Sequence, residues 1–175
     1  METKRLYIRY FQENDWKDLL EYLSCKEIYI YEPGDIIDED KAKEVCKRRA
    51  ANTDVYAIVL KENNKLIGHI SFNQTEPLFA NTWEVGFIFN PKYQNCGFCT
   101  EALKEIIERA FVEDKVHRII GHCNPENAAS WKVMEKAGME REGRLRKNIF
   151  FKQDSNGKPL WIDTYEYGIL NKYET

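Results

Sequence analysis

The stretch "TWEVGFIFNPKYQNCGFCTEALKEIIERAF", residues 82 to 111, constrains the fold more than any other. In "TWEVGFIF" alternation puts Trp83, Val85, Phe87 and Phe89 on one face and Glu84, Gly86 and Ile88 on the other, which predicts a half-buried strand. From residue 99 to 113 apolar pairs at 102/103, 106/107 and 110/111 recur at helical spacing and predict an amphipathic helix. Between them lies a turn holding Gly97. A strand that enters a helix through such a turn leaves several backbone N–H groups pointing outward together, and the helix dipole adds partial positive charge. That combination binds anions. Gly97 lets a ligand approach the backbone, and Cys99 and Thr100 fall in the first helical turn, where amides lack intrahelical partners. A glycine before a helix is also an ordinary connection, so the loop alone leaves both readings open.

The rest of the chain supplies the frame. Arg5 to Tyr10 alternates as a strand, and "ENDWKDLLEYL" opens a helix with Asn14 or Asp15 as its cap. A second helix is expected from about Asp38 to Ala50. "VYAIVL" and "LIGHISF" read as a hairpin around "ENNK", because Asn tolerates the left-handed conformation of a tight turn. "HRIIGHC" is a further strand, and "NPENAASWKVMEKAGM" a helix begun by Asn124 or Asn127 and ended by Gly138. Two β-rich runs, 140 to 152 and 160 to 170, flank the Asn-Gly signal of "DSNGK". No linker, repeat or low-complexity segment interrupts residues 1–175. The order β-α-α-β-β-β-α-β-α-β-β predicts a single α/β domain with a mixed, largely antiparallel sheet and helices on both faces.

Charge and composition exclude several functions. A net charge of −3, with acids and bases mixed along the chain, argues against nucleic acid as a main partner. The start "METKRLYIRYFQEN" lacks the apolar region of a signal peptide, and no apolar run nears the ~18 residues that span a bilayer, so no membrane partner is expected. A cytoplasmic enzyme or binding module is the expectation. The five cysteines form no disulfide framework; Cys96 and Cys99 make one CxxC, but there is no second Cys/His pair for zinc and no thioredoxin-like setting for redox chemistry. No metal is expected. Walker and dinucleotide glycine patterns are absent.

The loop Gln94-x-x-Gly97-x-Cys99 resembles the Q/R-x-x-G-x-G/A pyrophosphate loop of the GNAT superfamily of N-acetyltransferases. "WEVGFIFNPKYQNCGFCTEAL" is similar to that family's fourth strand, loop and third helix, "NPENAASWKVMEKAGMEREGRLR" to its N-x-x-S-x-x-x-x-x-K-x-G-F segment, and "LWIDTYEYGIL" to its closing strand. The likeness is strongest from residue 82 to 146 and nearest to the ribosomal-protein N-terminal acetyltransferases. It implies a sheet of six or seven strands splayed between its central strands. It also implies acetyl-CoA as cosubstrate and an amine acceptor, either a protein N-terminus or a small molecule. By the same resemblance the pyrophosphate would sit on Gln94, Asn95, Cys96, Gly97, Phe98, Cys99 and Thr100. The pantetheine arm would meet the backbone of Phe87, Ile88 and Phe89 together with Asn127 and Ser130. Two positions depart from the pattern. Cys99 stands where the family has Gly or Ala, and Met134 where many members place the tyrosine that protonates the leaving thiolate.

Aminolysis of a thioester needs a neutral amine, a stabilised oxyanion and a departing thiolate. Glu84 shares its strand face with Gly86, which has no side chain, so it is the candidate to order a water or bind the ammonium; the plainer alternative is an exposed carboxylate paired with a cation. Ser130 is a polar stabiliser of the sulfur or its general acid, or else a solvent-facing helix serine. His122 is the second candidate base, whereas His69 and His117 read as ordinary strand residues. "KRR" at 47 to 49 and "REGRLRK" at 141 to 147 read as solvated faces, or as contacts to an acidic acceptor or the 3′-phosphate of CoA. Two other functions remain at this stage, a non-catalytic acyl-CoA-binding module on the same fold and a CxxC oxidoreductase. An exposed sheet edge or helix pair leaves room for a homodimer.

Overall fold

The computed structural model describes residues 1–173. Strands β1 (Leu6–Tyr10), β2 (Val55–Leu60), β3 (Leu66–Gln74), β4 (Thr82–Phe89), β5 (Arg118–Cys123), β6 (Glu140–Ile149) and β7 (Ile162–Leu170) alternate with helices α1 (Trp16–Leu23), α2 (Glu39–Ala50), α3 (Phe98–Val112) and α4 (Ala128–Ala137) in the order that the sequence pattern predicts. The strands form one sheet ordered β1-β2-β3-β4-β5-β7-β6. Every neighbouring pair is antiparallel except β4 and β5, which run parallel.

Alternation along the strands sorts side chains into two cores. Ile8, Ile58, Val85, Phe89 and Ile119 pack with α3 and α4 through Leu103, Ile106, Phe111 and Met134. On the opposite face Ala57, Val59 and Leu66 pack with Leu19, Tyr22, Val45 and Cys46 of α1 and α2. The helices therefore cover both faces, as expected.

The parallel pairing of β4 with β5 is short: Thr82, Trp83 and Glu84 face Arg118, Ile119 and Ile120, and the register stops there. β5 continues against β7 as far as Cys123, while β4 continues against β3 as far as Phe89. From Val85 onward the β5 side of β4 thus carries no ladder, and this is the expected splay. Two expected turns also form, with Asn64 left-handed (φ 56°) between β2 and β3 and Gly138 (φ 98°) closing α4.

Three local expectations need correction. Asp15 sits at the start of α1 without capping it; its carboxylate takes the amide of Gln12 at 2.7 Å and two bonds from Arg9. Arg49 is not on a solvated face with Lys47 and Arg48. Its guanidinium lies 5.0 Å from the Phe11 ring, with Nη2 3.2 Å from His69 Nε2, and burial lowers its pKa. The last hairpin is shorter than the β-rich runs imply. Pairing ends at Ile149 and resumes at Ile162, and the intervening segment holds one isolated bridge, Gln153 to Pro159. Its turn is organised by Asp154, whose Oδ1 accepts the amides of Asn156 and Lys158 at 2.8 and 2.9 Å.

Candidate active site

The splay opens into a cleft of about 730 Å³. Its walls include Phe87, Ile88 and Phe89 of β4, Gln94 to Thr100 of the following loop, and Asn127 and Ser130 of α4. Every residue that the resemblance assigns to the cofactor therefore lines one cavity. The loop is built by short-range chemistry. Asn90 caps a single 3-10 turn, Pro91–Tyr93, by accepting the amide of Lys92. Gln94 then folds back and donates from Nε2 to the Phe89 carbonyl at 3.2 Å. Gly97, at φ 78°, makes the left-handed step into α3 that a side chain would strain. Among the described residues, no protein acceptor takes the amides of Asn95, Cys96, Gly97, Phe98, Cys99 or Thr100; the first helical bond is from Glu101 to Gly97. A row of unsatisfied donors at a helix N-terminus facing a cleft is a preformed anion cradle.

One brace of this loop is invisible in the sequence. Arg5, at the entry to β1, donates from Nε to Glu101 Oε2 at 2.6 Å and from Nη1 to the Cys96 carbonyl at 3.1 Å, with its guanidinium over the Phe98 ring at 4.3 Å. The partners are 96 and 91 residues away, so no local pattern announces them. By holding the Cys96 carbonyl, Arg5 fixes how the neighbouring peptide groups are aimed.

The cysteines do not form a redox pair. Cys96 is exposed, and Cys99 is half-buried, its thiol pKa raised far above the ordinary value by desolvation. A reactive CxxC needs the opposite, a stabilised thiolate. Among the described residues no group of three or more His, Cys, Asp or Glu side chains is arranged to hold a metal.

At the fork itself, on the face opposite Val85 and Phe89, His122 Nδ1 lies 2.7 Å from Glu84 Oε1 and Nε2 lies 3.1 Å from Glu166 Oε2. Both ring nitrogens face carboxylates, which only the doubly protonated ring satisfies. The Glu84 bond raises the His122 pKa, burial opposes it, and Glu166 adds to the rise. Both nitrogens of His122 are thus engaged by carboxylates, and neither is free to take a proton from an acceptor. Glu84 is a wall of the fork but not of the cleft, and the space beside Gly86 is shared with Ser71, whose Oγ would lie 2.8 Å from an added Cβ.

Ser130 sits in the first turn of α4, which Asn127 caps by accepting the Ser130 amide at 3.2 Å. The Ser130 hydroxyl approaches Cys123 and opposes the burial that pushes that thiol up to about 11. Met134 is buried, and an added Cβ on Gly121 would lie 2.9 Å from its sulfur. The tyrosine position is therefore filled by core packing. Sequence reasoning missed Arg5 and Glu166. It also missed the cleft-lining Glu27, Tyr31, Glu32, Lys132 and Lys136.

A splayed mixed sheet whose central strand ends in an unsatisfied anion cradle defines a class, the acyl-CoA-dependent N-acetyltransferases. The Acetyltransferase (GNAT) domain family matches residues 5–140, and the chain belongs to that family. It is 40% identical over 171 residues, 97% of this chain and 96% of the other, to YnaD, an uncharacterized N-acetyltransferase of Bacillus subtilis (strain 168). The crystal structure of a GNAT-family acetyltransferase from Bacillus anthracis superposes with a TM-score of 0.87 at 36% identity, covering 98% of each chain. At 16% identity, a likeness of fold alone, RimL, a ribosomal L7/L12 α-N-protein acetyltransferase solved with coenzyme A, superposes with a TM-score of 0.80 over 98% of this chain and 97% of that one. No helix among the described residues is long and apolar enough to cross a membrane.

Proposed function

We propose that the cleft binds acetyl-CoA through the loop amides of residues 95–100 and that the enzyme transfers the acetyl group to a primary amine, either a protein N-terminal α-amine or a small-molecule amine. The observation that carries this reading is the run of unpaired amides from Asn95 to Thr100, aimed into a cleft that also reaches the unladdered edge of β4. Phosphate oxygens fit such donors, and the cationic side chains of Lys132 and Lys136 in the same cleft add complementary charge. The main-chain groups of Phe87, Ile88 and Phe89 face a gap where β5 has departed, so they suit the amides of a pantetheine arm as a substitute strand. Asn127 uses its oxygen on Ser130 and keeps its Nδ2 for that arm.

Acetyl-CoA supplies an activated acyl group; the chain must supply a neutral amine and a place for the departing sulfur's charge. An α-amine titrates near 8 and a lysine amine near 10.4, so a proton must be removed at neutral pH. In this reading a carboxylate draws in the ammonium and helps remove its proton, and Glu84, held by His122, is the one that the family pattern offers. Ser130 donates a hydrogen bond to the developing thiolate. A CoA titration followed by a thiol-release assay tests the proposal on a panel of peptides with free N-termini and simple amines. Saturable CoA binding and amine-dependent release of free thiol are expected; failure to bind CoA refutes it.

A further inference from the structure

The segment between α1 and α2 forms part of the cleft wall, and it carries a carboxylate that the chemistry above leaves unused. Cys25 begins a 3-10 turn, Lys26–Ile30, whose Ile28 is anchored in the α1/α2 core. Glu27, Ile28, Ile30, Tyr31 and Glu32 then line the cleft opposite Ile88. The segment is tied at both ends: Tyr29 Oη donates to the Leu23 carbonyl at 2.9 Å, Lys152 Nζ donates to the Tyr29 carbonyl at 3.2 Å, and Tyr31 Oη reaches the Glu126 carbonyl at 3.4 Å. Glu32 is held in the wall by these ties, yet its own carboxylate has no hydrogen bond or ion pair among the described residues.

Resting on the acetyl-CoA reading above, we propose that Glu32 is the residue that receives the acceptor's ammonium group in the cleft and takes its proton, so that the base is Glu32 and not Glu84. Three observations favour it over Glu84. Glu32 lines the cleft, whereas Glu84 does not. Glu84 already spends an oxygen on His122 at 2.7 Å, whereas the Glu32 carboxylate has no hydrogen bond or ion pair among the described residues and is free for an acceptor. Burial alone raises the Glu32 pKa to about 7, where a carboxylate is a far better proton acceptor than in water. The charged and titratable groups sharing the cleft are Glu27 and Tyr31 on the same segment, Tyr93, Cys96 and Cys99 after β4, and Lys132 and Lys136 on α4; none of them contributes to that shift.

The step balances simply. One ammonium N–H bond breaks and its proton passes to a Glu32 oxygen; the freed lone pair bonds to the thioester carbon, the carbon–sulfur bond breaks, and the second proton that the nitrogen loses passes to the leaving thiolate. Glu32 then releases its proton to water, the one net proton of the reaction. Because the proton-accepting form is the ionised one, kcat/KM gains an ascending limb centred near pH 7.

Wild type, Glu32→Gln and Glu32→Asp are compared in CoA affinity, by calorimetry, and in kcat/KM against pH, with an alanine-peptide amide and butylamine as acceptors. The expectation is unchanged CoA affinity in all three, a loss of about 100-fold or more in kcat/KM and of the ascending limb near pH 7 in Glu32→Gln, and partial recovery in Glu32→Asp. If neither acceptor turns over, butylammonium binding to the CoA-saturated proteins is read instead, and binding by wild type but not by Glu32→Gln supports the proposal. Activity of Glu32→Gln within about twofold of wild type with the same pH limb overturns it, as does equal or absent butylammonium binding. Failure of the wild type to bind CoA overturns the underlying acetyltransferase reading instead.

Discussion

Asn127 holds two jobs in one side chain, and its two ends allow them to be separated. Its oxygen accepts the Ser130 amide at 3.2 Å and so caps α4, while its Nδ2 faces the cleft with no partner among the described residues. Replacing it with alanine removes both groups. Loss of an N-cap costs about 1 kcal/mol, which for a chain of this size lowers Tm by roughly 2–4 °C. Replacing it with aspartate keeps the oxygen, and its charge suits a helix N-terminus, so stability stays within a few tenths of a kcal/mol of wild type. What aspartate removes is the donor. One hydrogen bond to the pantetheine arm is worth about 1 kcal/mol, so both variants should bind CoA about fivefold more weakly, with aspartate the weaker because of its negative charge. Urea denaturation gives the stability of the three proteins, and calorimetry with CoA gives their affinities. An aspartate variant that binds CoA as tightly as wild type refutes the assignment of Nδ2. An alanine variant as stable as the aspartate one refutes the cap.

Gly97→Ala forces a Cβ into the left-handed region at φ 78°; the nearest atom, Arg5 Nη2 at 3.5 Å, does not clash, so the cost is backbone strain of about 1–2 kcal/mol. Relief by local rearrangement should weaken CoA binding severalfold, which the same calorimetry reads. His122 has a raised pKa in the fold, so its contribution to stability is complete below the unfolded value near 6.5 and disappears as pH rises through the folded value. Urea midpoints at pH 6 and pH 9 should therefore fall further for wild type than for His122→Gln, and parallel falls would refute the ion triad. Met134→Tyr restores the family's tyrosine but into a core site whose sulfur already touches the Gly121 surface, so about 1–3 kcal/mol of stability is lost to overpacking and thiol release does not rise; a faster enzyme would show that the hydroxyl reaches the sulfur.

Legibility in the sequence followed the range of the interactions. Alternation in "TWEVGFIF" assigned Val85 and Phe89 to one core and Ile88 to the other face, because a strand's period is set by its own backbone. The apolar pairs of α3 placed Leu103, Ile106 and Phe111 in the core for the same local reason. The loop reads as an anion site because strand, turn and helix N-terminus are contiguous in sequence, while Phe87 to Phe89, Asn127 and Ser130 came from the family resemblance. What escaped was made by distant parts meeting. Arg5 closes on Glu101 and Cys96 across six intervening elements, β1, α1, α2, β2, β3 and β4. Arg49 looks like part of a charged run, yet only its position on α2 against Phe11 and His69 decides that it turns inward. Glu32 sits in "IYIYEPGDII", which has neither a helical nor a strand period, and its burial depends on the loops that tie the segment down.

The fork between β4 and β5 is the weakest joint of the sheet by construction, since three residue pairs hold two parallel strands that then part. A ladder this short needs lateral support if the gap beyond it is to keep one width. The support stands at the last rung. Glu84 is the last residue of β4 paired with β5, His122 follows two residues after its partner Ile120, and Glu166 of β7 pairs with His122. The two carboxylates and the imidazolium therefore bind three adjacent strands together at the point where the backbone ladder gives out. Glu84 thereby ties the end of the β4–β5 ladder to β7 through His122. Charge-assisted bonds of this kind are stronger than neutral ones, and they depend on the ring staying protonated.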